Sequence, residues 1–187
     1  MSDPSSMRGL TLTQPWASLV AIGAKRIETR SWSTNYRGPI AIHAAKGFPK
    51  ECQRLACDAA LYREPLVAAG MDVYTPPPEH WYHAPSYHYR GGLPLGAIVA
   101  TARLAYVFMT GDTLNYEHDV RTKRGPNGLT YEMTPQEIAF GNYEPGRYGW
   151  VLTDVQRLPE PIPCKGALGL WTVPAEIVAQ LKGQAYV

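Results

Sequence analysis

The densest set of chemically capable side chains lies in the segment GAKRIETR, residues 23–30. If a strand begins at Arg26, then Arg26, Glu28 and Arg30 project from one face, because side chains alternate along a strand. Lys25 falls in the preceding turn, and its flexible stem can bring the ammonium group close to Glu28. A lysine beside a carboxylate can bind phosphate or assist proton transfer. The alternative is a surface ion pair, which contributes little to stability.

Basic residues concentrate around this segment. Residues 1–70 contain nine Lys and Arg against five Asp and Glu, whereas the formal charge of the whole chain is only +2. Most of the excess lies between Lys25 and Lys50. A local excess of this kind favours contact with the phosphates of a nucleic acid. The alternative is a solvated surface that binds nothing.

Hydrophobic periodicity and turn residues predict the elements that must position these side chains. Gly23 is expected to end the first helix with a left-handed cap. Thr134 is expected to cap a later helix, with Glu137 closing a capping box. Strands are expected at residues 8–13, 26–32, 38–45, 95–108, 148–155 and 164–171, and helices at 15–23, 49–61, 65–69, 134–141 and 174–182.

Composition narrows the fold class. The 17 glycines and 17 prolines argue against a helix bundle, because both residues break helix interiors. A disordered chain is excluded because 45% of the residues are hydrophobic. We therefore predict an α+β domain, a small, strongly bent sheet or β-barrel of about six strands with short flanking helices.

Cysteine usage and hydropathy predict a cytoplasmic protein without a membrane segment. The three cysteines lack CxxC spacing, which favours reduced thiols over a disulfide framework or a zinc site. No apolar run approaches the roughly 18 residues that a transmembrane helix needs. Residues 1–9 lack the apolar core of a signal peptide.

Residues 71–94 form a predicted long loop with five prolines and five aromatic residues. Neutral imidazoles of His80, His83 and His88 can bind zinc or copper, but their spacing matches no tight site, so no metal is predicted. The aromatic residues fit a stacking surface for single-stranded nucleic acid, a surface for a protein partner, or packing against the barrel.

Several segments together resemble the ASCH domain family, a branch of the PUA-like β-barrels. The resemblance lies in TLTQPWASLVAIGAKRIETRSW and YRGPIAIHAAK near the start, and in GRYGWVLTDV and PCKGALGLW near the end. It covers nearly the whole chain apart from residues 71–94, 111–130 and the tails. It implies a single PUA-like domain over residues 1–187, with the 71–94 loop as an insertion.

The resemblance also implies a basic cleft beside the barrel that binds RNA or a modified nucleoside. Gln14 and Trp16 lie at the start of the predicted helix that precedes residues 23–30, where Gln14 can read a base edge. Trp16 can stack on a base or anchor the helix in the core. Lys46 fits phosphate binding. The cleft is expected to be formed by Lys25, Glu28, Arg30 and Glu137.

Hydrolysis of N4-acetylcytidine, or of a similar N-acylated base, is an alternative that the resemblance implies. Small bacterial members with this activity use a Lys, a Thr and a Glu. Lys25 matches the Lys, Glu28 occupies the position of the Thr, and Glu137 corresponds to the Glu. In this hypothesis Glu137 is the general acid and base, and Lys25 stabilises the developing oxyanion.

Ribonuclease activity is a further alternative, with Tyr36, His43 and Lys46 as the candidate residues. A lone histidine in an apolar strand is usually structural, and Lys46 fits phosphate contact better than catalysis. The expected ligand is RNA or a nucleoside. No cofactor and no obligatory protein partner are predicted.

Overall fold

A computed structural model describes residues 7–73, 91–111, 115–117, 120–124 and 130–184 of the 187-residue chain, with side chains described in 7–73, 91–111 and 133–184. In chain order the elements are β1 (Arg8–Leu12), α1 (Trp16–Ala21), β2 (Ile27–Arg30), β3 (Gly38–Ala44), α2 (Lys50–Asp58), α3 (Ala60–Ala68), β4 (Ala97–Met109), β5 (Asn115–Glu117), β6 (Val120–Arg124), β7 (Thr130–Met133), α4 (Pro135–Ala139), β8 (Tyr148–Pro163), β9 (Leu170–Thr172) and α5 (Ala175–Gln184).

A six-stranded mixed sheet forms the body of the domain, in the strand order β2-β8-β4-β3-β1-β9. β1 and β3 pair in parallel, and the other neighbouring strands pair antiparallel. Register shifts interrupt the β3–β4 and β4–β8 ladders, and such irregularities bend and twist strands. The sheet curves into a half-barrel flanked by short helices, which confirms the predicted α+β fold.

β8 is much longer than predicted. The expected strand ended at residue 155, but β8 continues to Pro163 and carries prolines at 159, 161 and 163. Among the described strands, β2 pairs only with residues 148–151, so the later part of β8 has no described strand partner on that side. Proline is tolerated at such an edge because its missing N–H removes no ladder hydrogen bond there.

Three other segments differ from the expectation. The predicted helix over 49–61 ends at Asp58, because Ala59 adopts an extended conformation, and α3 then begins at Ala60. The connection over 111–128 contains β5 and β6, which form a separate three-stranded sheet with β7. The strand predicted over 164–171 is shortened to β9. The 71–94 loop is described only at residues 71–73 and 91–94, so its three histidines and five aromatic residues lie outside the described residues.

The helix α1 is the buried element that the candidate residues depend on. Its residues Ala17, Leu19 and Val20 are fully buried. One side packs in the sheet core with Leu10, and the other packs with α2, α3 and Phe140. Where the chain is described, no helix is long and apolar enough to cross a membrane.

Candidate functional site

The ammonium group of Lys25 lies completely inside the protein. Gly23 ends α1 at a φ of +76°, as predicted, and the amide of Lys25 then donates to the carbonyl of Leu19 at 3.0 Å. This tight turn directs the lysine under the start of β2. Its Nζ donates to the carbonyl of Ile27 and, at 3.0 Å, to the carbonyl of Phe140.

Two carboxylates complete the surroundings of this ammonium group. Glu28 Oε2 lies 3.7 Å from Lys25 Nζ, and Glu137 Oε1 lies 3.8 Å from it. Both glutamates are buried. A buried charge is tolerated only when it is paired and hydrogen-bonded, and the two carbonyls with the two carboxylates meet that requirement.

Glu137 joins α4 to the start of β2. Thr134 caps α4 as predicted, its Oγ1 accepting from the amide of Glu137 at 3.1 Å. The carboxylate bonds outside its own helix, where it accepts hydrogen bonds from the amides of Arg26 at 2.7 Å and Ile27 at 3.0 Å. Glu137 therefore satisfies the first backbone donor of β2 and the one just before it, whereas the predicted capping box would have used the carboxylate at the start of α4.

Arg30 connects the opposite end of β2 to β1. Its Nη1 lies 3.2 Å from Glu28 Oε1, and its Nη2 donates to the carbonyl of Thr11 at 2.9 Å. The side chain of Arg30 is one-quarter exposed. Lys25, Arg30, Glu28 and Glu137 thus form one cluster in which two formal positive and two formal negative charges balance.

Trp16 borders a cleft of about 340 Å³ next to this cluster. Its indole N–H donates to the carbonyl of Phe140 at 2.9 Å, and its ring makes an edge contact with Tyr62 at a centroid distance of 6.1 Å. These contacts fix the plane of the half-buried indole. The cleft is lined by Trp16, Glu28, Thr29, Ala139, Phe140, Gly141 and Asn142.

Tyr143 is a member of the cluster that sequence reasoning missed. Its hydroxyl donates to Glu137 Oε1 at 3.5 Å. Burial, followed by the charges of Glu137 and Glu28 and this hydrogen bond, raises the pKa of Tyr143 far above its ordinary value, so the hydroxyl remains a donor. The sequence signal that could have pointed to Tyr143 was its position in FGNYEP, three residues after Phe140.

The other candidate residues lie elsewhere. Gln14 is buried at the start of α1, where Oε1 accepts from the amide of Ser18 at 3.0 Å and Nε2 donates to the carbonyl of Pro94 at 2.8 Å. The hydroxyl of Tyr36 donates to the carbonyl of Pro39 at 2.6 Å. Lys46 is exposed in the turn that follows β3.

His43 is buried under the segment that precedes β9. Its Nε2 is 2.9 Å from the carbonyl of Cys164, and Nδ1 has no hydrogen-bond partner among the residues that the structure describes. Its ring packs edge-on against Trp171. Gly166 passes so close that a Cβ there would lie 2.4 Å from the imidazole. Burial lowers the pKa of His43, while the hydrogen bond to Cys164 opposes that shift.

A larger cavity of about 870 Å³ lies on the other side of Glu137, lined by residues that include Arg26, Gln136, Glu137 and Asp154. Lys25 lines neither space, whereas Glu28 lines the smaller cleft and Glu137 the larger cavity. Within the described ranges, no group of three or more His, Cys, Asp or Glu residues is arranged to hold a metal ion. The arrangement therefore offers a fixed aromatic ring and an anchored carboxylate at the smaller cleft.

Comparisons with known proteins match the part of the chain that contains this site. The family model of the ASCH domain matches residues 10–161. Activating signal cointegrator 1 of Homo sapiens is 44% identical over 69 residues, which are 36% of this chain and 11% of that protein. The Mus musculus protein of the same name is 43% identical over 67 residues, again 36% of this chain and 11% of the relative. The matched segment thus spans a small part of these relatives.

Replacing Lys25 by Met removes the cation but keeps a side chain of similar length. We expect the free energy of unfolding to fall by about 3–5 kcal/mol, because Glu28 and Glu137 lose their shared buried partner. Chemical denaturation measures the change. The matched control, Lys46→Met, alters an exposed lysine and is expected to stay within about 0.5 kcal/mol of wild type. Equal stability of both variants would contradict the proposed importance of the buried ammonium group.

Acidification is expected to destabilise the fold through His43. The pKa of His43 is lowered in the folded protein, so below the unfolded value of about 6.5 the unfolded chain binds more protons. This histidine's contribution to stability is therefore present above about pH 6.5 and is lost as the pH falls through the folded pKa. Denaturation curves between about pH 7.5 and 5 should show a steeper loss for wild type than for His43→Gln, whose amide can still donate to Cys164. Identical pH profiles would rule out this role.

Proposed function

We propose that this chain, which belongs to the ASCH domain family, binds RNA or a free nucleoside by taking one base into the cleft beside Trp16. The observation that carries the proposal is the combination of a fixed indole and an anchored carboxylate in one small cleft. Its volume of about 340 Å³ falls within the range of about 300–1,000 Å³ that is typical of ligand sites.

Trp16 supports this proposal because its orientation is set before any ligand binds. The indole N–H is already used by Phe140, and Tyr62 supports the ring edge. A base that stacks on this ring orders no flexible aromatic side chain, so little conformational entropy is lost on binding. Stacking of a base on an aromatic side chain contributes about 1–3 kcal/mol and tolerates any base.

The charge distribution supports a division between base contact and phosphate contact. The four charged groups of the cluster balance, so they supply no net attraction for a phosphate. Exposed Lys46 and Lys50 lie on the segment that leads from β3 into α2. α2 and Trp16 pack in the same hydrophobic cluster, which brings this basic segment to the side of the domain that carries the cleft. Phosphate contacts are therefore assigned to these lysines.

Hydrolysis of N4-acetylcytidine is the second candidate, because Lys25 and Glu137 lie only 3.8 Å apart, as a cooperating pair requires. Two observations favour binding over hydrolysis. Lys25 is fully buried, and its ammonium group is occupied by two backbone carbonyls. Glu28 also places a carboxylate where the bacterial amidohydrolases have a neutral hydroxyl.

Ribonuclease activity has less support from the geometry. Tyr36 donates to Pro39, and the imidazole of His43 is covered by the segment around Cys164 and Gly166. Neither residue lines the cleft that contains Trp16 and Glu28. General acid–base catalysis requires the acid and the base to reach the substrate, and neither residue lines the cleft that is proposed to hold the base.

Replacing Trp16 by Leu tests the stacking role. We expect binding of a short, fluorescently labelled single-stranded RNA to weaken by about 5- to 150-fold, as measured by anisotropy, because the stacking surface is lost. Trp32→Leu is the matched control, since Trp32 is also half-buried but contacts Trp150 and does not line the cleft. Thermal melting verifies that both variants fold.

Equal RNA affinity of the Trp16 and Trp32 variants would contradict the binding site. Incubation of wild type with N4-acetylcytidine, followed by chromatography, separates the second candidate. Release of cytidine that disappears in Glu137→Gln would favour hydrolysis.

Replacing Lys46 by Ala tests the assignment of phosphate contacts. We expect weaker binding of the same RNA at low salt and a salt dependence whose logarithmic slope is smaller by about 0.7, the change for one contact to single-stranded nucleic acid. Affinity for a free nucleoside, which has no phosphate, should not change. Lys182→Ala in α5 is the control. An unchanged slope in the Lys46 variant would contradict the assignment.

A further inference from the structure

Glu28 is the charged residue among the described side chains that line the Trp16 cleft. Its side chain is nine-tenths buried, and the remaining tenth is accessible. Oε1 is held by Arg30 at 3.2 Å, and Oε2 faces Lys25 at 3.7 Å. Each carboxylate oxygen is therefore paired with a different cation, which anchors the group at the edge of the cleft.

The carboxylate retains capacity to accept further hydrogen bonds. An ionised carboxylate has about four acceptor positions, and of the described residues Arg30 and Lys25 approach one oxygen each. The other described polar groups that line the cleft each already have at least one hydrogen-bond partner within the protein. The carbonyl of Phe140 accepts from both Trp16 and Lys25, and Thr29 Oγ1 accepts from the amide of Asn142. The cleft thus presents a fixed acceptor group.

The ligand edge that complements a fixed carboxylate is one with two adjacent hydrogen-bond donors. The Watson–Crick edge of guanine has this pattern, with N1–H beside the N2 amino group. Cytosine and adenine place a single amino group beside an acceptor nitrogen, and uracil flanks its one N–H with two carbonyl oxygens. Each of these bases would direct an acceptor at the carboxylate.

We propose that Glu28 is a specificity-determining residue that selects a guanine base through N1–H and the N2 amino group while the base stacks on Trp16. This inference rests on the proposed function and specifies which base the same cleft prefers. It also assigns N4-acetylcytidine a weaker fit, because its ring nitrogen N3 is an acceptor. Arg30 is a positioning residue, which acts by orienting the carboxylate.

Nucleosides without phosphate test the selection directly. Isothermal titration of wild type with guanosine, inosine, cytidine and uridine is expected to give the tightest binding for guanosine. Inosine differs from guanosine by the absence of the N2 amino group, and its affinity should be about 10-fold lower, the loss of one charge-assisted hydrogen bond. This comparison needs no variant.

Glu28→Gln tests the residue, because its amide replaces one acceptor oxygen by a donor that opposes the base donors. We expect the ratio of guanosine to inosine affinity to fall towards one. Glu160→Gln changes an exposed carboxylate outside the cleft and should keep the wild-type ratio. A purely structural ion pair would change stability in Glu28→Gln but leave this ratio unaltered.

The outcomes separate the two proposals. Equal binding of all four nucleosides by wild type, or a guanosine preference that persists in a folded Glu28→Gln variant, would overturn the selection by Glu28 and leave the cleft as a base-binding site. Absence of binding for every nucleoside and for single-stranded RNA would overturn the proposed function, and the selection with it.

Discussion

Burial of the Lys25 ammonium group is the constraint on which the local structure depends. A cation that leaves water loses several kcal/mol of solvation, and only close partners restore it. The partners come from separate places: the carbonyl of Ile27 in β2, the carbonyl of Phe140 after α4, and the carboxylates of Glu28 and Glu137. The turn after α1, the first residues of β2 and the end of α4 must therefore meet at one point.

This requirement also shapes the neighbouring cleft. Phe140 uses one carbonyl oxygen for both Lys25 and the indole of Trp16, so the segment that satisfies the lysine also orients the aromatic ring. Glu28 pairs with the same lysine and lines the cleft. The lysine thus organises the two groups assigned to base recognition without contacting the cleft itself.

Local patterns predicted the elements but not the long-range contacts. The Gly23 cap, the Thr134 cap and the six-stranded sheet follow from turn residues and periodicity. The hydrogen bonds of Glu137 to Ile27 of β2 and to Arg26 just before it span 110 and 111 residues, and no local pattern encodes them. The strands β5 and β6 were not predicted because the charged connection that contains them has no apolar alternation. Gln14 stabilises the start of α1 through its hydrogen bonds to Ser18 and Pro94, which its residue type alone does not reveal.

The charges of the cluster of Lys25, Arg30, Glu28 and Glu137 balance, and this neutrality separates the proposed source of RNA affinity from that of base selectivity. If its cations contacted phosphate, Glu28 and Glu137 would lose their partners, and the buried carboxylates would destabilise the fold. The cations of the cluster therefore serve the protein interior. In the proposed function, attraction to a polyanion is therefore assigned to exposed lysines, whose contacts ignore base identity, and base selection is assigned to the anchored carboxylate. The proposal thus assigns affinity and base selection to two different sets of residues, so that a change in one set is expected to leave the contribution of the other unaltered.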